Sequence, residues 1–460
     1  MPDTHAAPIH RVPAFVTVGL ALIMTSVDST IVATVLHELQ QGLDTSINWA
    51  GWTLTAFAFG FVLMLPVAGK LSERLGRRRV FLISISVFTV ASLLCGLTSN
   101  IAVLIVLRVL QAAGGAGITP SATGIVVDYF GNSRDRAVSL FGSIFPIGAM
   151  IGPIFGGLFV TYWNWRGVFF VNVPIGLLIL WMTLRYIPPD PPRSQRPDAR
   201  MDYPGIAYIG VCLLAGMLAA SFLGEHNVPF GSPRILIPAV LALLAGWLFF
   251  WHIRRSDHPF IAPPLIYGPG FGVVNLINVL YGGITIGAVA LIPLYATNRY
   301  GLSALQAGSL LVSQGVAAIA FSLACTMAIR RTGYRVPLYI GASLIGLGML
   351  LVALPPWFGL SPFTWLMAVT FLLGMGTGTV NPASRNAGLQ LAPKSAAMLA
   401  AIRTLSIQVG TITFISIVTM VLSVSSDPGI SQAWLYGFWA VLVAASMRLI
   451  ASVPEHHGAW

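Results

Sequence analysis

The feature that most constrains this chain is a series of fourteen apolar runs, separated mostly by short polar loops. Each run has about the length of a helix that crosses a bilayer, which needs about 20 apolar residues. Only 8% of the residues are charged, whereas a soluble domain has roughly 25%, so this chain cannot cover a water-facing surface. We therefore predict an all-α membrane protein with fourteen transmembrane helices. The predicted spans are 12–36, 49–69, 80–98, 101–127, 137–162, 168–187, 204–222, 235–253, 271–296, 305–329, 336–354, 363–391, 395–422 and 433–453.

The basic residues fall almost entirely on one side of these alternating spans. Three of the 25 Lys and Arg residues, Arg166, Arg234 and Arg299, lie on the other side, and Arg108 and Arg403 lie deeper inside spans. By the positive-inside rule, both termini are cytoplasmic and the chain is a multi-pass protein of the cell (inner) membrane. The net charge of +11 therefore reflects loop orientation, and we expect no nucleic-acid partner.

Two pairs of similar segments indicate an internal repeat. The string at 115–122 resembles the one at 376–384, and the string at 74–78 resembles the one at 331–335. Both pairs are offset by eight spans, as two six-helix halves separated by two extra helices would produce (a 6+2+6 arrangement). Parallel repeats of this kind are typical of transporters whose halves rock about a central site. The predicted parts are an N-terminal bundle 1–187, a cytoplasmic linker 188–203, two extra helices 204–253 and a C-terminal bundle 254–460.

Several motifs resemble those of the major facilitator superfamily. The loop at 69–79 resembles its signature between spans 2 and 3, with Glu73 where Asp is usual. The segment 108–111 resembles its span 4 motif, and 28–32 resembles the span 1 motif of the fourteen-helix drug:proton antiporters. The signature that this subfamily carries between spans 5 and 6 is matched around Trp165. The span 5 antiporter motif is matched by Gly148, Gly152, Pro153, Gly156 and Gly157.

This resemblance implies the major facilitator fold and proton-coupled efflux of lipophilic small molecules, such as drugs or toxic metabolites, by alternating access. The expected partners are a small-molecule substrate, protons and the lipid bilayer, while a periplasmic adaptor stays open. The resemblance also implies a conformational latch in which Glu73 lies near Ser395, at the start of span 13. The alternative for these loop residues is a solvated positive-inside loop. The latch residues are Gly69, Glu73, Arg74, Gly76, Arg77 and Arg78.

Asp28 is the only acidic residue deep within a span. A charge at the bilayer centre costs about 2.5–3.5 kcal/mol on insertion scales, so it usually faces a partner or a water-filled cavity. Counted at 1.5 Å per residue, Asp28 and Arg108 both lie roughly 11–12 Å below the outer boundary. Arg108 favours the ionised carboxylate, while desolvation favours the protonated acid. We expect the two residues to form the proton-coupling pair; the alternative is a static ion pair that fixes helix packing.

Other polar and aromatic residues within spans are candidates for lining a substrate cavity. Buried amides need partners in hydrocarbon, so they favour a cavity or an interhelical hydrogen bond. For the aromatic residues the alternative is plain packing, and for Arg403 it is reaching toward the interface. The candidates are Gln111, Asn275, Asn278, Gln314, Arg403, Trp52 and Tyr281.

Two further function classes compete with efflux. One is a proton-coupled symporter or facilitator for a nutrient or lipid, against which the Gly-Pro pattern of span 5 speaks. The other is a membrane enzyme or receptor. No GxxxxGK[ST] phosphate-binding loop occurs, and Cys95, Cys212 and Cys325 lie in different spans without metal-ligand spacing. We therefore expect a transporter that is not an enzyme and that uses no cofactor or metal.

Overall fold

A computed structural model describes three stretches of the chain. In these stretches every regular element is helical and no strand occurs. Thirteen of the helices are long and apolar enough to cross a membrane. Twelve residues within the expected span 137–162 are not described by the structure. The count of fourteen spans therefore stays a prediction. The described residues are 11–130 except 46; 137–190 except 139, 142, 143, 145, 146, 149, 150, 153, 154, 157, 160 and 161; and 202–455 except 224–228, 230, 358, 393 and 394.

The helices are numbered here in chain order, and two segments of other helical type are named by their ranges. The order is α1 (Arg11–Thr34), α2 (Leu36–Gly42), α3 (Ile47–Leu75), α4 (Arg77–Leu97), α5 (Ile101–Phe130), α6 (Gly167–Phe170), α7 (Asn172–Tyr186), α8 (Tyr203–Leu223), α9 (Pro233–Ile253), α10 (Pro263–Tyr267), α11 (Phe271–Ile277), a π-helical segment (Asn278–Ile284), α12 (Thr285–Ala290), α13 (Ile292–Tyr300), α14 (Ala304–Thr332), α15 (Arg335–Ala353), α16 (Pro362–Leu391), α17 (Ala396–Val424), α18 (Pro428–Ser446) and a 3-10 helix (Met447–Ser452).

The chain divides into two compact units, and unit 1 comprises residues 1–200 together with 393–401. Within unit 1, α5 packs against α1, α3 and α4, while α7 packs against α1 and α4. Glycines allow the close approaches, since a Cβ added at Gly114 would lie 2.6 Å from the backbone nitrogen of Phe88. A Cβ at Gly60 would likewise lie 2.6 Å from the carbonyl oxygen of Val109. Small residues of this kind let membrane helices pack backbone to backbone.

Unit 2 comprises residues 201–392 and 402–460. Within it, α16 packs against α14 and α15, α15 also packs against α18, and α8 packs against α9. In unit 1, α5 packs in the same way against α3 and α4, and α4 packs against α7. Glycines again make the contact, since a Cβ added at Gly376 would lie 2.7 Å from Ile345 Cγ1. The helix pairings within each unit therefore follow the repeat seen in the sequence.

Asp202 anchors the start of α8. Its Oδ1 accepts a 3.0 Å hydrogen bond from the Gly205 backbone and lies 2.7 Å from His252 Nε2, at the end of α9. Its Oδ2 accepts a 2.9 Å bond from the Phe260 backbone. Burial by itself would raise the pKa of Asp202, but these hydrogen bonds favour the ionised form and hold the pKa below its usual value. One carboxylate thus joins α8, α9 and the loop that follows.

Candidate functional site

Asp28 on α1 carries a carboxylate without solvent exposure. Its Oδ2 accepts a 2.8 Å hydrogen bond from Arg108 Nη1 on α5. Its Oδ1 accepts bonds of 2.9 Å from Gln111 Nε2, also on α5, and of 2.8 Å from Asn172 Nδ2 on α7. A buried carboxylate is costly unless it is paired and hydrogen-bonded, and here both oxygens are satisfied. The sequence-predicted pair Asp28 and Arg108 is therefore in direct contact.

Arg108 extends this contact to two more helices. Its Nη1 also donates 2.6 Å to Gln111 Oε1, and its Nε donates 3.4 Å to the Thr53 carbonyl of α3. Its guanidinium carbon lies 4.1 Å from the centre of the Phe57 ring, a cation–π geometry. Gln111 Nε2 donates 2.8 Å to Ser92 Oγ on α4. Five helices, α1, α3, α4, α5 and α7, thus contribute to one buried polar cluster, which we call the Asp28 cluster.

Two glycines of the predicted antiporter motif pack against the turn of α1 that carries Asp28. A Cβ added at Gly148 would lie 3.2 Å from the Val27 backbone nitrogen, and one at Gly152 would lie 3.0 Å from the Val27 carbonyl oxygen. Glycine is needed for this approach, because any larger side chain would displace the α1 backbone. Gly156 is also buried. Two motif residues, Pro153 and Gly157, lie outside the described residues.

Glu73, at the end of α3, contacts the first turn of α17. Its Oε1 accepts a 3.3 Å hydrogen bond from the Met398 backbone N–H, three residues beyond the expected neighbour Ser395. A Cβ added at Gly69 would lie 2.9 Å from Ala401 Cβ, so the glycine permits this approach. A carboxylate is favoured at a helix N-terminus, where free N–H groups point outward.

Three more of the predicted latch residues lie at the end of α3 and the start of α4. Arg77 forms an ion pair with Asp128 and donates a hydrogen bond of 2.5 Å to the Gly124 carbonyl. Gly76 has a φ of +103°, a conformation that L-residues rarely adopt, and it turns the chain between α3 and α4. Arg74 lies in the last turn of α3.

Asp190, which the sequence did not indicate, caps α4. Its two carboxylate oxygens accept bonds of 3.0 and 2.9 Å from the backbone N–H groups of Arg78 and Arg79. The Arg78 side chain also donates 3.2 Å to the Leu184 carbonyl of α7. The end of α7 and the start of α4 are therefore tied together by one carboxylate and one guanidinium.

Glu455 repeats this cap in unit 2. Its Oε1 and Oε2 accept bonds of 2.6 and 3.2 Å from the backbone N–H groups of Tyr334 and Arg335, at the start of α15. Arg335 Nε in turn donates 2.8 Å to the Val453 carbonyl. In each predicted six-helix bundle, 1–187 and 254–460, the start of the third predicted span is thus satisfied by a carboxylate from the chain that follows the last predicted span.

Two of the predicted cavity amides lie on the broken ninth predicted span. Asn275 Nδ2 donates bonds of 3.0 Å to the carbonyls of Leu265 and Ile266, and so it caps α10. Asn278 Nδ2 donates 2.9 Å to the Val274 carbonyl, while its buried Oδ1 has no hydrogen-bond partner. Asn275 therefore has a structural contact, and Asn278 keeps one free acceptor.

Three further cavity candidates have different surroundings. Gln314 Nε2 donates 3.3 Å to Thr377 Oγ1, which joins α14 to α16. The Tyr281 hydroxyl lies 3.0 Å from Ser446 Oγ, and its ring belongs to the apolar core of unit 2. Trp52 on α3 is 38% exposed. Their lining of a substrate cavity stays a prediction.

Arg403 lies on α17 beside α16. Its Nη2 donates a 2.7 Å hydrogen bond to Asn381 Oδ1, and its Nε is buried without a hydrogen-bond partner. Arg385, one turn after Asn381 on α16, is only 6% exposed, although the sequence placed it at a cytoplasmic span end. The two arginines lie within electrostatic range of each other.

Sequence reasoning missed Asn172, Ser92 and Thr53 as members of the Asp28 cluster. Asn172 was available from the argument that buried amides need partners, because it lies inside an apolar run. Ser92 gives no such signal, since a serine in a membrane helix usually bonds its own helix, as its hydroxyl also does here to the Phe88 carbonyl. Thr53 contributes only its backbone carbonyl, which no side-chain pattern reveals.

A helical membrane bundle with a buried acid–arginine pair is an arrangement expected of a transporter. The family model of the Major Facilitator Superfamily matches residues 18–415, and the chain belongs to this superfamily. It is therefore a multi-pass membrane transporter and not an enzyme.

Relatives and a solved structure agree with this assignment. The chain is 28% identical over 370 residues to Multidrug resistance protein 3 of Bacillus subtilis, which covers 79% of this chain and 70% of that protein. It is 30% identical over 405 residues to the Multidrug resistance protein B homolog of Mycobacterium tuberculosis, covering 85% and 72%. The solved structure of the proton:xylose symporter XylE matches with a TM-score of 0.67 at 16% identity, over 98% of this chain and 97% of that one. At this identity the match shows the shared fold alone.

Proposed function

We propose that this protein is a proton-coupled exporter of lipophilic small molecules that works by alternating access. The observation that carries the proposal is the Asp28 cluster, in which one buried carboxylate meets Arg108, Gln111 and Asn172. The names of the multidrug resistance relatives support export of this substrate class.

The chemistry of the cluster supports a proton-dependent switch. All three side chains that contact the Asp28 oxygens do so through N–H groups, which donate hydrogen bonds. A proton added to Asp28 would point at donors and would remove the counter-charge of Arg108. The protonated acid therefore fits the present arrangement poorly, and the groups that α1, α5 and α7 contribute rearrange to accommodate it. Such a difference between two states is what couples proton binding to a conformational change.

Other predicted residues receive roles that follow from this proposal. Glu73 and Gly69 form the latch that holds one state through the start of α17. Gly148 and Gly152 form a tight seam against α1 that excludes water beside Asp28. The side chains of Gln314, Asn278 and the other cavity candidates contact the substrate. We also propose fourteen spans in a 6+2+6 arrangement, with both termini in the cytoplasm and the protein in the inner membrane.

Proton-driven transport in proteoliposomes tests the proposal. Purified protein is reconstituted with an imposed pH gradient, and movement of a lipophilic fluorescent dye is followed together with internal pH. We expect dye transport and proton flux to be coupled in the wild type. Asp28→Asn keeps the size of the side chain but cannot exchange the proton, so it should lose gradient-driven transport while still folding.

Asp202→Asn is the matched control, because it makes the same chemical change at another buried, hydrogen-bonded carboxylate. It should retain coupling. Full gradient-driven activity in Asp28→Asn would contradict the role of Asp28. Accumulation of a nutrient or lipid in the same direction as the protons, without dye export, would replace export by the symporter alternative.

A further inference from the structure

Unit 2 holds one buried and one half-buried arginine, Arg385 and Arg403, in a region of the chain without carboxylates. No Asp or Glu occurs between positions 258 and 426, which include the whole of α11 to α17. The carboxylates of unit 2 that the structure describes are Asp202, Asp257, Asp427 and Glu455. Three of them cap or join helices elsewhere, and Asp257 is exposed in the loop after α9. The helices of this unit therefore provide no counter-charge of their own.

Arg385 and Arg403 lie at similar depth on neighbouring helices. Arg385 is six residues before the end of α16 and Arg403 is seven residues after the start of α17. At 1.5 Å per residue, both lie about 9–11 Å from the short connection between these helices. Two cations at similar depth on neighbouring helices repel each other, and that repulsion is strongest where water is scarce.

The Arg403 guanidinium is oriented but not neutralised. Asn381 Oδ1 accepts its Nη2–H at 2.7 Å, which fixes the plane of the group. The buried Nε–H has no acceptor, and Arg403 makes no ion pair within the described ranges. The Nε–H can therefore donate a charge-assisted hydrogen bond to a carboxylate, sulfonate or phosphate oxygen.

We propose that Arg403, with Arg385 adding positive charge and Asn381 positioning the guanidinium, binds the anionic group of the transported compound. This inference deepens the proposed function, because it assigns the substrate class to amphiphiles with an apolar body and one or more negative charges. An anion between the two arginines would supply the missing acceptor and relieve their repulsion. Charged groups retained inside spans commonly mark such substrate or ion pathways.

Equilibrium binding tests the site without depending on transport. The full chain is placed in nanodiscs of phosphatidylcholine, and fluorescence anisotropy compares fluorescein with a cationic rhodamine ester that has the same xanthene ring. We expect the wild type to bind fluorescein more tightly than the rhodamine, and empty nanodiscs provide the background. Arg403→Gln should weaken fluorescein binding by about 10- to 100-fold, as expected for loss of a charge-assisted hydrogen-bonded contact. Arg331→Gln, which removes an exposed arginine of the same unit, should leave it unchanged.

Asn381→Asp provides a second test that does not remove the arginine. The new carboxylate would lie where the Asn381 amide now lies, 2.7 Å from Arg403 Nη2, and would neutralise the charge of the guanidinium. We expect a stable protein that binds fluorescein at least about tenfold more weakly. Unchanged binding in this variant, or in folded Arg403→Gln, would overturn the proposal. Preference of the wild type for the rhodamine ester would also overturn it.

One further arm of the binding experiment distinguishes a site for substrate from a site for a lipid headgroup. Nanodiscs that contain phosphatidylglycerol should bind fluorescein with similar affinity; abolition of binding would show that the arginines hold a lipid headgroup, which overturns the substrate assignment. Equilibrium binding of fluorescein needs no proton gradient, so failure of the coupling role of Asp28 leaves this result standing, and failure of the anion site leaves the coupling test standing.

Discussion

The two units bury arginine in opposite ways. In unit 1, Arg108 meets the Asp28 carboxylate, an amide oxygen and an aromatic ring. In unit 2, Arg403 donates to an amide oxygen and has no carboxylate partner among the described residues, and Arg385 lies nearby as a second cation. The first arrangement pairs one negative with one positive charge, and in the proposed mechanism it changes when a proton arrives. The second has surplus positive charge, so it is suited to a ligand that brings the missing negative charge.

The largest expected effect comes from breaking the neutral arrangement. Arg108→Met leaves the Asp28 carboxylate buried without its counter-charge, which typically costs about 3–5 kcal/mol. We expect a large loss of thermal stability of the purified protein in detergent, together with loss of transport. The double variant Asp28→Leu, Arg108→Met replaces the pair by apolar groups and should recover most of the stability but not transport. A single variant as stable as the wild type would contradict the view of a tightly paired cluster.

A smaller effect is expected where unit 2 brings backbones together. A Cβ at Gly283 would lie 2.7 Å from Gly410 Cα on α17, the helix that carries Arg403. Gly283→Ala should therefore force the helices apart and cost about 1–3 kcal/mol. Gly282→Ala is the matched control, because its Cβ would meet the Ile407 side chain, with Cγ1 at 3.0 Å, and no backbone atom within 4 Å. Thermal unfolding of the two variants in parallel measures the difference; equal midpoints would disprove the tight contact.

Asp202 provides a second buried, hydrogen-bonded carboxylate to compare with Asp28, and it lies outside the predicted spans. Asp202→Asn should cost about 1–3 kcal/mol at pH 7, since one backbone N–H then lacks an acceptor. The pKa of Asp202 is lower in the folded than in the unfolded chain, whose value is about 3.9. The stabilisation is therefore complete above that value and is lost as the pH falls through the folded-state pKa. Unfolding midpoints of wild type and variant should differ at pH 6 and 7 and converge below about pH 4; a constant difference would argue against the carboxylate.

The smallest effect on stability is expected at Arg403. Arg403→Met removes a charge that has no carboxylate partner and loses one hydrogen bond to Asn381. We expect stability to stay within about 1 kcal/mol of the wild type or to increase. Comparison of this variant with Arg108→Met in the same unfolding assay tests the contrast directly. A loss as large as that of Arg108→Met would mean that Arg403 is neutralised in the protein.

Much of the fold could be predicted because hydropathy sets the spans. The contact of Asp28 with Arg108 also followed from the sequence, since their depths are fixed by their distances along two helices. The partners Ser92 and Thr53 did not, because the direction in which a helix presents a polar group depends on rotation about its axis. That rotation is set by packing between helices distant in sequence.

Three other features had no signal in the sequence. The π-helical segment Asn278–Ile284 reads as ordinary apolar helix, because a change from i→i+4 to i→i+5 bonding leaves no compositional mark. The caps by Asp190 and Glu455 depend on where two loops fold back. The proximity of Arg385 to Arg403 depends on the side-chain directions of two helices, and a count of loop charges assigned Arg385 to the membrane surface instead.

The arginine pair of unit 2 also has an electrical consequence for the proposed cycle. When an anion leaves the cell and a proton enters, both movements carry positive charge inward across the membrane. Each elementary charge gains about 2.3 kcal/mol from a potential of 100 mV, so a one-for-one exchange of a monovalent anion would gain about 4.6 kcal/mol. A monovalent cation exchanged for one proton would gain nothing from the same potential. Selectivity for anions would thus let an energised cell expel its substrate even when the pH is equal on both sides.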